Sequence, residues 1–172
     1  MTKNLEIKDY AKDIKLNLSS VLKTDPESSL TDIQINLIAL SCAYATKNNN
    51  IVEFILENSK EILNETQINA AKSCAAIMAM NNIYYRFVHL VSDKEYSTIP
   101  AKLRMNVLAN SGIDKIDFEI AALAVSAING CGLCIDSHVK HLTNSGIDKR
   151  TITHSIRIAS VINGAAQAIF IN

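Results

Sequence analysis

The 172-residue chain has no tryptophan, only two prolines (Pro26 and Pro100) and only five glycines. With so few interruptions, long unbroken helices are open to it. It also lacks an excess of charge: 17 basic and 17 acidic side chains cancel, and no Lys/Arg block stands out. Long-range attraction for nucleic acid or an anionic membrane surface is therefore missing. The longest strongly apolar stretch, Ile120 to Ile128, falls far short of the roughly 20 residues that span a bilayer. The N-terminal residues, Met1 to Asp9, mix acids with bases and have no apolar run behind them, unlike a signal peptide. These absences lead to the expectation of a soluble, cytoplasmic protein with neither nucleic acid nor membrane as partner. Four cysteines in a chain of this length do not make a disulfide scaffold. In a reducing compartment a close pair of them suits catalysis or metal binding better than structure.

What is present is apolar content, 48% of residues, with helical spacing. Ile33, Leu37, Leu40 and Tyr44 recur at steps of three and four, and the segment from Asp117 to Asn129 is apolar nearly all round, as a buried helix is. No strictly alternating run bounded by turn signals occurs. The expected fold is all-α, a single domain over 1–172, with helices near 4–23, 31–46, 50–63, 66–82, 101–109, 116–129, 131–145 and 149–170. Thr31 and Asp117 read as start signals, and Gly146 as a stop. Ser92 to Pro100 reads as a connection between halves, too short to be a domain linker.

The halves resemble each other. At an offset of 85, Ile35 meets Ile120, Ala39 meets Ala124, Ser41 meets Ser126, Ile62 meets Ile147 and Thr66 meets Thr151. A duplication is expected, with 1–90 a degenerate half and 101–172 the half that carries the chemistry. At that offset Gln34 stands opposite Glu119, Thr46 opposite Cys131, Asn49 opposite Cys134 and Glu53 opposite His138.

The chemistry concentrates in Asn129-Gly130-Cys131-Gly132-Leu133-Cys134-Ile135-Asp136-Ser137-His138. Asn129-Gly130 ends one helix and Cys131 opens the next. Unpaired N–H groups and the positive end of the helix dipole favour a thiolate there. Cys134, three residues on, shares that face and is within reach for a disulfide. His138, four further on, could take a proton from a thiol or return one to a leaving group. Glu119, in the preceding apolar helix, needs a partner, and an imidazole from the next helix is a sensible one. Taken alone, Glu119 also reads as an acid complementing the dipole of its own helix, and His138 as a half-buried surface histidine. Occurring together, the four residues form a nucleophile, base and orienter scheme with a second thiol added for redox work.

Cys131, Cys134, His138 and His141 are all good zinc ligands. Ten residues from Cys131 to His141 cover about 15 Å of straight helix, whereas one tetrahedral zinc needs donors roughly 2.0–2.3 Å away. Four such positions on one helix cannot converge, so no metal is expected. Cys42 and Cys74, in apolar helices, read as core. The aromatic and amide-rich run Met78 to Phe87 suits core, subunit contact or pocket wall equally. His89 and His154 are assigned no role.

From these residues the chain resembles the alkyl hydroperoxide reductase AhpD family, within the carboxymuconolactone decarboxylase-like superfamily. The matching stretches are Met78 to Arg86, Leu103-Arg104-Met105-Asn106, Phe118-Glu119, and Ala124 through Cys131, followed by Cys134 and His138. The spacing of Glu, eleven residues, Cys-x-x-Cys, three residues and His is quite specific to that family. The resemblance implies an all-helical homo-oligomer, a trimer by expectation, with thiol-dependent reduction of organic hydroperoxides or hydrogen peroxide in antioxidant defence. It implies coupling to a peroxiredoxin of the AhpC type, no bound cofactor, and a dihydrolipoamide-type dithiol donor supplied by an acyltransferase and its dehydrogenase. By the same resemblance Cys134 is the attacking, peroxidatic thiol, Cys131 the proton donor and resolving thiol that closes the disulfide, and Glu119 with His138 the relay. Helix-start electrostatics alone instead favour Cys131 as the more acidic thiol. Some members carry a histidine between the cysteines, where this chain has Leu133, so any step through that imidazole is absent or supplied by water or another group. Two other readings stand beside this one: a cofactor-free decarboxylase or lactone-opening enzyme, and a non-enzymatic oligomeric redox sensor.

Overall fold

A computed structural model describes residues 5–172. Seven α-helices appear among them: α1 (Lys12–Val21), α2 (Asp32–Thr46), α3 (Asn49–Ser59), α4 (Glu65–Leu90), α5 (Lys115–Asn129), α6 (Gly132–Asn144) and α7 (Lys149–Phe170). No strand occurs among the described residues, so the fold is all-α. No helix there is long and apolar enough to cross a membrane.

Helix starts are written in side chains. Thr31 caps α2 through a reciprocal pair of bonds: Gln34 N–H donates to its hydroxyl at 3.2 Å and Thr31 N–H donates to Gln34 Oε1 at 3.0 Å. Asn64 and Gln67 repeat the device on α4. For α5 the cap is Asp114 and not Asp117, which lies inside the first turn and accepts from Gln34 Nε2 at 2.7 Å. Gly146, at φ +87°, stops α6 as expected: its N–H returns to Thr143 O and that of Ile147 to Leu142 O, the pairing of a Schellman end.

Several boundaries differ from the expected ones. The first helix opens with a 3₁₀ turn (Asp9–Ala11) and becomes α-helical only at Lys12; position 4, where it was expected to begin, lies outside the described residues. The last turn expected of α3, residues 60–63, is not helical: the N–H groups of Ile62 and Leu63 both return to Ser59 O. Helix α4 runs eight residues beyond the expected 82, since no glycine or proline intervenes before Pro100. The helix expected at 101–109 does not form; only Asn106–Leu108 makes a 3₁₀ turn, and Lys102 sits at φ +51°. That segment has no side-chain cap and buries no residue, so nothing offsets the cost of nucleating a helix there.

The core is centred on α2 and α5, which pack on each other and on α4 and α7. Both are buried on all sides over their middle turns, Ile35 to Ala43 apart from Asn36 and the whole run Ile120 to Ser126. Ala39, Ala43, Ala121, Ala122 and Ala124 keep the walls thin, so helices can approach closely. α6 lies on α5 with α4 beside it, and this corner holds the site.

Candidate active site

The site begins where α5 ends. Gly130 takes the left-handed conformation (φ +69°), its N–H returning to Ala127 O and that of Cys131 to Ser126 O, both at 3.2 Å. A Schellman end of this kind favours glycine, which carries no Cβ into that region. The Arg86 guanidinium donates to the Asn129 carbonyl at 2.6 Å, closing another orphan acceptor of α5. Asn82, wholly buried, ties α4 to the same end, donating to Ser126 Oγ and accepting from Asn129 Nδ2, each at 2.9 Å.

Cys131 is thereby held from both sides. Its backbone closes α5, while its side chain caps α6: the sulfur accepts from Cys134 N–H at 3.3 Å, with the backbone extended (φ −96°, ψ 92°). It is thus the cap of α6 and not its first helical residue. The one-turn spacing puts the Cα atoms 5.3 Å apart, and Cys131 and Cys134 are joined by a disulfide. The two sulfurs are not equally accessible. Cys131 is fully buried, whereas Cys134 keeps 8% of its surface.

That surface of Cys134 faces a cavity of about 430 Å³ between α4, α6 and the 99–108 segment. Met78, Met105, Leu108 and Leu133 supply apolar wall, and Asn81, Tyr85, Ser137 and His138 the polar groups. Cys131 is not among its lining residues.

Beside the dithiol, Glu119 of α5 meets two imidazoles of α6 through one oxygen: His138 Nδ1 at 2.8 Å and His141 Nδ1 at 3.2 Å from Oε1. Burial pushes the Glu119 carboxyl up, but hydrogen bonds and charge from His138 and His141 outweigh that and leave it below its ordinary range. An ionised carboxylate only accepts, so each ring presents its Nδ1–H and leaves Nε2 to exchange protons. His138 is the more enclosed ring, 13% exposed against 36% for His141.

The structure therefore brings Glu119, Cys131, Cys134 and His138 together across two successive helices. Two further residues of the site, His141 and Asn81, were hidden from sequence reasoning in different ways. His141 was weighed as a zinc ligand, yet a carboxylate reaching over from α5 meets both turns; its i, i+3 spacing from His138 was the available signal. Asn81 lay unremarked in the Met78 to Phe87 run, which the structure divides: Met78, Asn81 and Tyr85 line the cavity, Asn82 joins the core, and Ile83 and Phe87 are exposed.

Cys42 and Cys74 lie in the core, as expected. Burial pushes the Cys74 thiol up to about 12, against a hydrogen bond with Ser41 and with the Glu119 charge adding to it, and burial also holds the Cys42 thiol well above its ordinary value. Neither is a nucleophile at neutral pH. His154, also buried, is spoken for by Ser28 Oγ at 3.0 Å and the Val21 carbonyl at 3.4 Å. Among the described residues no three His, Cys, Asp or Glu side chains are grouped so as to hold a metal ion.

Residues 94–170, which include the whole site except the α4 wall, match the Carboxymuconolactone decarboxylase family. Over 162 residues the chain is 56% identical to the alkyl hydroperoxide reductase AhpD of Coxiella burnetii (strain RSA 493 / Nine Mile phase I), covering 94% of this chain and 92% of that protein. It is 49% identical over 164 residues to the protein of the same name from Bradyrhizobium sp. (strain ORS 278), covering 95% and 89%. With that of Brucella anthropi it shares 46% over 164 residues, covering 95% and 92%. Identity at this level over almost the full length of each relative places the chain, plainly, in the alkyl hydroperoxide reductase AhpD family.

Proposed function

We propose that this protein is a cytoplasmic, thiol-dependent hydroperoxide reductase in which Cys134 attacks and Cys131 resolves. The observation that carries the reading is the pairing of a disulfide at a helix start with an apolar cavity that reaches only one of its sulfurs. In the reduced protein the Cys134 thiolate attacks the terminal oxygen of a hydroperoxide. The O–O bond breaks, the alcohol leaves with a proton from His138, and Cys134 becomes a sulfenic acid. Cys131, whose sulfur sits at the cap position where negative charge is favoured, attacks the Cys134 sulfur and expels water. An external dithiol returns two electrons and two protons, reopening the disulfide. Glu119 holds the His138 ring in place through its Nδ1 at 2.8 Å. The names of the relatives support a hydroperoxide reductase; coupling to a peroxiredoxin of the AhpC type, a dihydrolipoamide-type dithiol as donor and a homotrimer as the working assembly complete the proposal.

The division of labour has a structural rationale if the halves are duplicates, and element spacing supports that. α2 and α5 are both 15 residues long, start 83 residues apart and end on left-handed residues, Lys47 and Gly130. Asn48 and Cys131 then cap α3 and α6. At 83, two fewer than the offset of 85, Cys134 stands opposite Ile51 and His138 opposite Ile55, so the first half keeps the scaffold and lacks the chemistry.

Stopped-flow oxidation of the reduced protein by cumene hydroperoxide tests the reading. Cys134→Ser should abolish it, and Cys131→Ser should leave Cys134 as a sulfenic acid trappable as a mixed disulfide. Undiminished peroxide consumption by Cys134→Ser would sink it.

A further inference from the structure

Asn81 is the one described residue with a buried side-chain oxygen or nitrogen that has no hydrogen-bond partner: its Oδ1. The side chain as a whole is only 5% exposed. Its neighbour Asn82 is equally deep and fully partnered, so the difference is not one of crowding on α4. A buried amide oxygen without a partner costs stability unless something else meets it. Asn81 lines the cavity that borders Cys134 and His138, at i+3 from Met78 and i−4 from Tyr85, on the stripe of α4 that faces α6. The surrounding wall of Met78, Met105, Leu108 and Leu133 offers no acceptor of comparable strength.

On the reading of the site as a hydroperoxide reductase, we propose that the Asn81 carboxamide binds the O–O–H group of an organic hydroperoxide and aligns its terminal oxygen with Cys134. A hydroperoxide has one O–H donor, on the atom that is attacked. Donated to Asn81 Oδ1, it fixes that oxygen while the alkyl or aryl group fills the apolar cavity. The volume, about 430 Å³, exceeds that of hydrogen peroxide many times over, at roughly 30 Å³ per water-sized molecule. A branched alkyl or aryl hydroperoxide is therefore the class that gains from both the wall and the acceptor. In the attack itself Asn81 exchanges no proton; the sulfur takes the terminal oxygen with its hydrogen, and the alkoxide takes a proton from His138.

The test compares wild type, Asn81→Leu and Asn81→Ala, each in the full-length reduced protein. Three rates are read: oxidation by cumene hydroperoxide, alkylation of Cys134 by iodoacetamide, and reduction of the disulfide by dihydrolipoamide. In both variants oxidation should fall about tenfold to a hundredfold, the scale set by one buried hydrogen bond. Alkylation and disulfide reduction should stay within about twofold of wild type. Asn81→Leu should also melt higher than wild type, because it removes the unpartnered oxygen at nearly constant volume. A folded variant of either kind that is oxidised at the wild-type rate overturns the assignment. So does a loss confined to reduction by dihydrolipoamide, which would make Asn81 a contact for the donor. Wild type that exchanges with dihydrolipoamide but ignores cumene hydroperoxide would instead remove the underlying reading of the site.

Discussion

Glu119 answers two imidazoles with one oxygen, and its electrostatics have a sign that can be worked out. Its folded value lies below the ordinary 4.5, so the folded state favours the carboxylate. Stability from this source is fully present above about pH 4.5 and is lost as pH falls through the lowered folded value. Glu119→Gln has no such loss. The melting temperatures of wild type and variant should therefore converge as pH is lowered from 6 to 3.5, and a gap that stays constant across that range contradicts the assignment. His138→Ala should slow hydroperoxide turnover on the order of a hundredfold or more, the usual worth of a positioned proton donor. His141→Ala, removing the longer and more exposed contact, should cost far less. Much of this was readable in one dimension. Cys-x-x-Cys announces itself, His138 falls one turn below Cys134, and Glu119 is an acid in an apolar helix. His141 and Asn81 escaped because their roles depend on what a second helix brings opposite them, which no spacing within a single helix encodes.

At the scale of elements, the site depends on a join two residues wide. Gly130 ends α5 and Cys131 starts α6, so any strain at the join is passed directly to the sulfur. A Cβ at Gly130 would meet nothing closer than Arg86 Nη1 at 4.0 Å, so Gly130→Ala is penalised by backbone conformation alone. The expected loss is about 1–2 kcal/mol in urea unfolding. Asn82→Leu acts differently, removing the donor to buried Ser126 Oγ and the acceptor of half-buried Asn129 Nδ2, at about 1–3 kcal/mol. It should also loosen the join, seen as faster amide exchange at Cys131 than at residues of α2. Helix existence was legible wherever apolar spacing coincided with a cap, as at Thr31. It failed at 101–109, where Leu103, Met105 and Leu108 suggest a helical face. Those side chains instead border the cavity or solvent, and no partner helix lies over them to stabilise a helix.

The whole molecule presents more surface than a compact chain of its size requires. Its accessible area is 9865 Å², against about 8,300 Å² for a typical monomer of 18.8 kDa. Part of the excess is apolar and gathered in one place. Ile83, Phe87 and Leu90 form an i, i+4, i+7 stripe along the last turns of α4, each about half exposed or more. Tyr96 extends the patch, its ring edge-on to Phe87 with centroids 5.3 Å apart, and Ile99 lies beyond it. This is the part of α4 that runs past its expected end, and it bears no charge along the stripe. A contiguous apolar face of this kind on a stable protein marks a surface that another chain covers. On the proposal of a homotrimer this face is the one expected to lie between copies; its helix, α4, also walls the cavity. The double variant Phe87→Glu, Leu90→Glu places like charges on that face and should shift the sedimentation mass from about three times 18.8 kDa to one. If assembly only stiffens the α4 wall, the separated variant keeps rapid alkylation of Cys134 while its oxidation by cumene hydroperoxide falls. A wild-type protein that sediments as a monomer at micromolar concentration would end the proposal of a trimer and leave the stripe to a different partner.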